Sequence, residues 1–326
     1  MFKLKMKTDP QKHIKEDLKE LELQLKESIS SDIKLATEVS SYIVQSGGKR
    51  IRPTITILIA RALNYQGNEL TKLATAIELL HTATLIHDDV VDQSELRRGK
   101  ISIHKKWNNA HGVLVGDFVY SKAFQLMASL KNKQIIQTLA DSTNRISEGE
   151  VMQLNFLESK SIKEEDYFEI IGRKTAELFK ACAHTAALIA EAEENLVKTS
   201  CEFAYALGIV FQLTDDLLDY YGDELRTGKK IGKDFLEGKI TLPLIKAYDL
   251  ANTDDLRLLK RAFETRDEGK LYEVINIISR SGAVKEVEKV TNEYSEKCLN
   301  LLDKFQDSIY KESLRAVVTN LKERSK

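Results

Sequence analysis

Proline is scarce in this chain: three residues among 326, where average usage of roughly 5% would give about 16. Together with only 15 glycines, that scarcity of breakers disfavours sandwiches, barrels and loop-rich disulfide scaffolds and points to long helices. Cysteine is equally sparse. Cys182, Cys201 and Cys298 have no ligand-like spacing and cannot all pair, so reduced thiols and a cytoplasmic location are expected. The longest apolar stretches, around Ile55–Ala60 and Leu188–Ala190, fall short of the ~18 residues of a transmembrane helix. The basic start, Met1 to Lys7, lacks the continuous apolar region of a signal peptide, so a soluble protein is expected. Neither sign of charge dominates: 49 Lys and Arg face 50 Asp and Glu, a net charge of −1. That balance excludes the broad positive field of a dedicated nucleic-acid binder.

What remains is helical periodicity. Leu18, Leu21, Leu25 and Ile29 form one stripe, and a second run, Ile33–Gln45, stops at Gly47-Gly48. Pro53 sits where the next helix begins, and Arg52 before it is expected outside the α region. Further runs cover about 69–92, 110–130, 132–157, 164–191, 194–222, 239–252, 254–267, 271–280, 283–304 and 310–323. Two of them, Thr71–Val91 and Cys201–Tyr220, are apolar on nearly every face, which places them inside a bundle. The outer runs are laced with Glu and Lys. No linker or internal repeat interrupts residues 1–326, so a single all-α domain, one large helical bundle, is expected.

Charge interrupts the two apolar helices in the same way. Asp88-Asp89-Val90-Val91-Asp92 and Asp215-Asp216-Leu217-Leu218-Asp219 both read Asp, Asp, apolar, apolar, Asp. Carboxylates at i and i+4 stack about one turn apart, ~6 Å along the axis, and repel each other. A divalent cation relieves that repulsion. Oxygen-only donors, without His or Cys at ligand spacing, suit Mg²⁺ rather than Zn²⁺, and Mg²⁺ shares its shell with phosphate. Two such clusters facing each other across a bundle would hold a polyphosphate. By contrast Asp254-Asp255 follows Asn252-Thr253 at a helix start, where the dipole alone favours carboxylates.

Cations lie in the irregular segments nearby. Gly47-Gly48-Lys49-Arg50-Ile51-Arg52-Pro53 sets flexible glycines and three cations before a helix N-terminus, a favourable place for an anion. Arg97-Arg98-Gly99-Lys100 follows the first acidic cluster, at an expected helix end. Lys174-Thr175 interrupts an apolar helix, and Lys229-Lys230, Lys233-Asp234 and Gly238-Lys239 follow the second cluster. No phosphate loop of nucleotide hydrolases is present.

With these residues assembled, the chain resembles the trans-polyprenyl diphosphate synthases, and within them the bacterial octaprenyl-type enzymes. The likeness runs from about residue 40 to 250 and adds Val115-Gly116-Asp117, Glu148-Gly149-Glu150 and Phe211-Gln212 to the motifs above. It implies the all-α isoprenoid-synthase fold around a deep central cavity, a cytoplasmic homodimer, about three Mg²⁺ per active site, and two substrates. These are isopentenyl diphosphate and an allylic diphosphate, farnesyl or geranyl. By the same resemblance Asp88, Asp92, Asp215 and Asp219 form the metal set, the first three as direct ligands. Asp89, Asp216 and Asp219 hold metal waters and basic side chains. Lys49, Arg52, His81 and Arg98 grip isopentenyl diphosphate; Arg97, Lys174, Lys229 and Lys239 neutralise the allylic diphosphate; Thr175 and Gln212 direct dipoles at the carbocation. The other histidines, among them His87, His104, His111 and His184, are read as structural.

The physics agrees with that division of roles. Cations stabilise a departing diphosphate, the allyl cation is attacked by the isopentenyl double bond, and the released diphosphate takes the proton. No nucleophilic triad is required, and none is persuasive here. Ala83 and Thr84 lie about one turn before Asp88, ~6–8 Å away. In short-chain members bulky aromatics at such positions floor the cavity; two small residues predict a long product, about eight isoprene units, with Phe124 and Met127 as the deep floor. Quinone side chains are its expected destination. Alternatives are a shorter-chain geranylgeranyl or farnesyl diphosphate synthase, a non-catalytic subunit of a two-component synthase, a terpene cyclase, and a helical scaffold with solvated acidic patches. Both acidic motifs are intact, which argues against the non-catalytic subunit and the cyclase. Membrane contact is expected to be transient at most.

Overall fold

A computed structural model describes residues 9–158, 163–221 and 231–324. Its contacts group into two units, each described by itself. The first comprises Met1–Asp141, Ala181–Cys201 and Lys304–Leu314; the second comprises Ser142–Lys180, Glu202–Asp303 and Arg315–Lys326.

In the first unit, helices α1 (Lys15–Ser28), α2 (Lys34–Val44) and α3 (Ile51–Ala62) precede the long α4 (Leu70–Val91). The stripe of Leu21, Leu25 and Ile29 is fully buried, as periodicity requires. α4 packs along α6 (Asn109–Ala128) and against α1 and α3, so it has almost no polar face to spare. Asn108 caps α6 by accepting the His111 N–H. The start of α3 differs from expectation. Arg52 lies inside the helix, and the residue displaced into the left-handed region is Arg50, at φ 49°. Proline tolerates this because the first helical N–H groups have no intrahelical partner to lose. A second correction concerns Arg97-Arg98-Gly99-Lys100, which is not a helix end. α4 stops at Asp92, and β1 (Leu96–Arg97) pairs antiparallel with β2 (Lys100–Ile101). Arg98 and Gly99, at φ 53° and 74°, make a two-residue hairpin turn whose twist suits the paired strands. The short α5 (Ile103–Lys106) follows.

The second unit contains the later part of α7 (Lys133–Glu158), then α8 (Glu164–Ile171) and a π turn (Gly172–Ala176) leading into α9 (Glu177–Ile189). The run expected as one helix over 164–191 is therefore broken at the turn bearing Lys174 and Thr175. α10 (Glu194–Tyr221) is long and apolar enough by composition to cross a membrane, yet Phe203, Leu207, Val210 and Leu213 are all buried within the protein. Beyond it come α11 (Lys233–Glu237), α12 (Leu242–Leu250), α13 (Thr253–Thr265), α14 (Leu271–Arg280), α15 (Ala283–Leu302) and α16 (Ile309–Arg324). α12 begins three residues later than expected, because Pro243 belongs in a first turn. Phe235, Leu244, Leu259, Phe263, Val274 and Ile277 form the core of α11 to α14. Each such side chain contributes about 1.5–3 kcal/mol by leaving water. At the head of α13, Asn252 accepts the N–H groups of Asp254 and Asp255, and Asp255 is held by Arg280. That acidic pair is structural, as read.

Candidate active site

The first unit gathers a basic cluster at the start of α3. Arg52, buried, brings Nη1 to 3.1 Å from Nε2 of His81 on α4. Burial holds the His81 pKa well below 6.5, and Arg52, Arg98, Arg97 and Arg50 add to the effect. The ring is therefore neutral. Because a guanidinium only donates, Nε2 accepts and Nδ1 carries the proton. The Arg98 guanidinium lies directly against Gly48, where a Cβ would come within 2.8 Å of Nη1. Gly48, at φ +157°, has a backbone conformation that residues with a side chain rarely adopt. Burial lowers the pKa of Arg52 and Arg98, and neighbouring arginines reinforce this. Lys49, Arg52, His81 and Arg98 are brought to one region, with Lys49 on its exposed rim.

Arg50 belongs elsewhere. Its Nε donates to Glu22 at 2.6 Å and its Nη1 to the buried Glu78 at 2.8 Å. Burial pulls its pKa down, but the two carboxylates more than offset that. Sequence reading missed Glu78, since a single Glu in an apolar helix carries no spacing signal.

On the last turn of α4, Asp88 and Asp92 are half-buried and Asp89 is buried. Arg97 donates to Asp89 Oδ1 from Nε at 2.8 Å and from Nη2 at 2.5 Å. Asp88 and Asp92 add to the field that raises the Arg97 pKa against the cost of burial. Next to them His87 reaches Asp117 at 3.3 Å, and its ring occupies the space that a side chain at Gly116 would need. This gives the Val115-Gly116-Asp117 motif a packing role.

The second unit holds the other acidic cluster beside a cavity of about 110 Å³. Asp216 is 2% exposed; its Oδ2 accepts the Tyr167 hydroxyl at 2.5 Å and its Oδ1 the Gln212 amide at 2.7 Å. Thr175 donates to Gln212 Oε1 at 2.7 Å. Lys174 bonds Glu150 at 2.6 Å and Gln153 at 2.9 Å, and Lys239 bonds Glu237 at 2.8 Å. Asp215 is exposed. Asp219 accepts the backbone N–H groups of Lys233 and Asp234, at 3.2 and 3.0 Å. Burial, then Asp234, pushes the Asp219 carboxyl up to about 7, and the same causes raise Asp216. Gln153, Lys174, Thr175, Gln212, Asp216, Asp234 and Lys239 line the cavity together with apolar Phe156, Ile170, Ile171 and Ile240. Glu150 and Asp234 were quoted within sequence motifs but given no role, and Tyr167 was not singled out. Lys229 lies outside the described residues.

The polyprenyl synthetase family profile matches residues 33–278, which include both acidic clusters and the basic groups beside them. This chain belongs to that family. The octaprenyl diphosphate synthase of Escherichia coli (strain K12) is 38% identical over 300 residues, covering 92% of this chain and 93% of that one. The all-trans-nonaprenyl-diphosphate synthase (geranyl-diphosphate specific) of Rhodobacter capsulatus is 39% identical over 305 residues, covering 92% and 93%. Among solved structures, a polyprenyl synthase from Caulobacter crescentus CB15, complexed with calcium and isoprenyl diphosphate, superposes with a TM-score of 0.93 at 34% identity, covering 96% of each chain. The fold is thus the all-α isoprenoid-synthase fold, and the protein is a trans-prenyl diphosphate synthase.

In this synthase the residues expected to govern product length sit on packed helices of the first unit. Ala83 is fully buried on α4, and Thr84 turns its hydroxyl back to the His81 carbonyl at 2.8 Å. On α6 Met127 is buried, and the half-buried Phe124 ring lies 4.9 Å from that of Tyr120.

Proposed function

We propose that the synthase extends an allylic diphosphate by successive head-to-tail condensations with isopentenyl diphosphate, acting as a cytoplasmic homodimer. Its product is the octaprenyl chain of about eight isoprene units named for one of its relatives, destined for quinone side chains. The observation that best supports this reading is the cavity of the second unit. One small space joins two lysines, a hydroxyl–amide pair and an apolar wall, which is what an anionic leaving group, a cationic centre and a prenyl tail require.

Mg²⁺ fits the acidic residues. Crowding by Asp234 and Asp215 adds to burial in raising the Asp219 carboxyl to about 7, a tension that a hard cation relieves. Among the described residues no three acidic, His or Cys side chains form a closed cage, and Mg²⁺ bound with phosphate and water needs none. Asp88 and Asp92 in the first unit, and Asp215 and Asp219 in the second, would each be a pair able to hold Mg²⁺, which when bound supplies electrostatic stabilisation of the departing diphosphate. The protein's own side chains do the rest. Lys49, Arg52 and Arg98 bind isopentenyl diphosphate, and neutral His81 donates from Nδ1. Arg97, Lys174, Lys229 and Lys239 take the allylic diphosphate. Thr175 and Gln212 turn oxygen lone pairs toward the allyl cation.

Incorporation of labelled isopentenyl diphosphate, with and without Mg²⁺, tests this reading, with product length read by mass spectrometry. Asp88→Ala and Asp215→Ala are each expected to lower turnover by at least about 100-fold while far-UV circular dichroism stays unchanged. Near-normal activity in either variant, or full activity in excess chelator, would remove the metal-cluster mechanism.

A further inference from the structure

We propose that Tyr167 is a positioning residue of the prenyl transfer: its hydroxyl anchors a hydrogen-bond relay that fixes which side of Thr175 meets the reacting allyl group. The inference rests on the reading of function given above.

The relay has a direction, set by its hydrogen bonds. Both oxygens of Asp216 accept: Oδ2 takes the Tyr167 hydroxyl at 2.5 Å and Oδ1 the Gln212 amide at 2.7 Å. The end of Gln212 that faces Asp216 is its NH₂ group. Its carbonyl oxygen then points the other way and accepts the Thr175 hydroxyl at 2.7 Å. A hydroxyl has one hydrogen, and that of Thr175 is committed to Gln212. Its lone pairs remain, and Thr175 and Gln212 both line the cavity. A fixed negative dipole end, set before the reaction begins, stabilises a developing carbocation without reorganisation.

Tyr167 closes the chain from a separate helix. Gln212 and Asp216 are one turn apart on α10 and Thr175 is in the π turn, whereas Tyr167 comes from α8. It is 3% exposed and packs among Ile171, Leu213, Leu217 and Leu242. Phenylalanine would fill that apolar setting without the cost of burying a hydroxyl. The hydroxyl is explained by its acceptor.

The test is a double-mutant cycle of Tyr167→Phe with Thr175→Val, assayed with farnesyl diphosphate and labelled isopentenyl diphosphate where circular dichroism matches that of the unmutated protein. Tyr167→Phe is expected to lower kcat about 10- to 100-fold, the worth of a hydrogen bond to a charged group. KM for both diphosphates should stay within about threefold, since the relay serves the transition state and not ground-state binding. Added to Thr175→Val, Tyr167→Phe should change kcat by less than about twofold, because both act through one hydroxyl. Unchanged kcat in Tyr167→Phe, or fully multiplicative losses in the double variant, overturns the relay while leaving the prenyl-transfer reading intact. An unmutated protein that makes no prenyl product overturns both.

Discussion

Arg50 and Arg52 stand two residues apart and are equally basic, yet their neighbours assign them opposite duties. Arg50 is spent on Glu22 and Glu78, whereas Arg52 turns to a neutral histidine. Glu78 is 2% exposed, so Arg50→Met leaves a buried carboxylate short of its closest counter-charge. That substitution is expected to cost about 3–5 kcal/mol in urea denaturation, and a loss under about 1 kcal/mol would show that other arginines replace it. His81 yields a pH dependence. Its folded pKa lies below the unfolded value of 6.5, burial being the main cause. Between the two values the unfolded chain binds a proton that the folded chain refuses. The stability tied to neutral His81 is therefore complete above about pH 6.5 and is lost as pH falls through the folded pKa. The urea midpoint should fall more steeply below pH 6.5 in the unmutated protein than in His81→Gln, and parallel curves would refute the assignment.

At the scale of elements, the π turn is the feature on which the second-unit site depends. It is held between two close backbone approaches. A Cβ on Gly208 of α10 would stand 2.6 Å from the Ala176 Cα, and one on Gly149 of α7 would stand 3.1 Å from the Lys174 nitrogen. Gly208→Ala is expected to lower stability by about 1–3 kcal/mol through overpacking and to raise KM for the allylic diphosphate by displacing Lys174 and Thr175. A thermal-unfolding midpoint and KM both equal to those of the unmutated protein would mean the turn is held by other contacts. These contacts also mark what the sequence could and could not reveal. α4 and α10 were legible almost to the residue, because an unbroken apolar period defines each and the Asp pairs stand out against it. The π turn was not legible, since its i→i+5 bonding is decided by what packs against it. The Arg98-Gly99 hairpin was misread because two-residue strands have no period to detect. Tyr167, Glu150 and Glu78 act on residues in other elements, at separations of 49, 24 and 28 positions, and no local spacing encodes such partners.

At the scale of the whole molecule the open variable is product length, since its relatives include both an octaprenyl and a nonaprenyl diphosphate synthase. Sequence similarity of 38% and 39% to these two cannot rank one length above the other. On the function proposed above, a tail lengthens until a side chain blocks it, and Ala83 and Thr84, about one helical turn before Asp88, are where a large group is expected to do so. Ala83→Phe is expected to shift products to markedly shorter chains, read by reversed-phase chromatography after dephosphorylation. Ala83 is fully buried, so an added ring also overpacks its surroundings, at about 1–3 kcal/mol. Thr84→Phe, at a half-buried neighbour, provides a second variant where that cost is smaller. If both variants fold, turn over and still make the unmutated product, the blocking position lies deeper, and Phe124→Ala on α6 should then lengthen the chain instead.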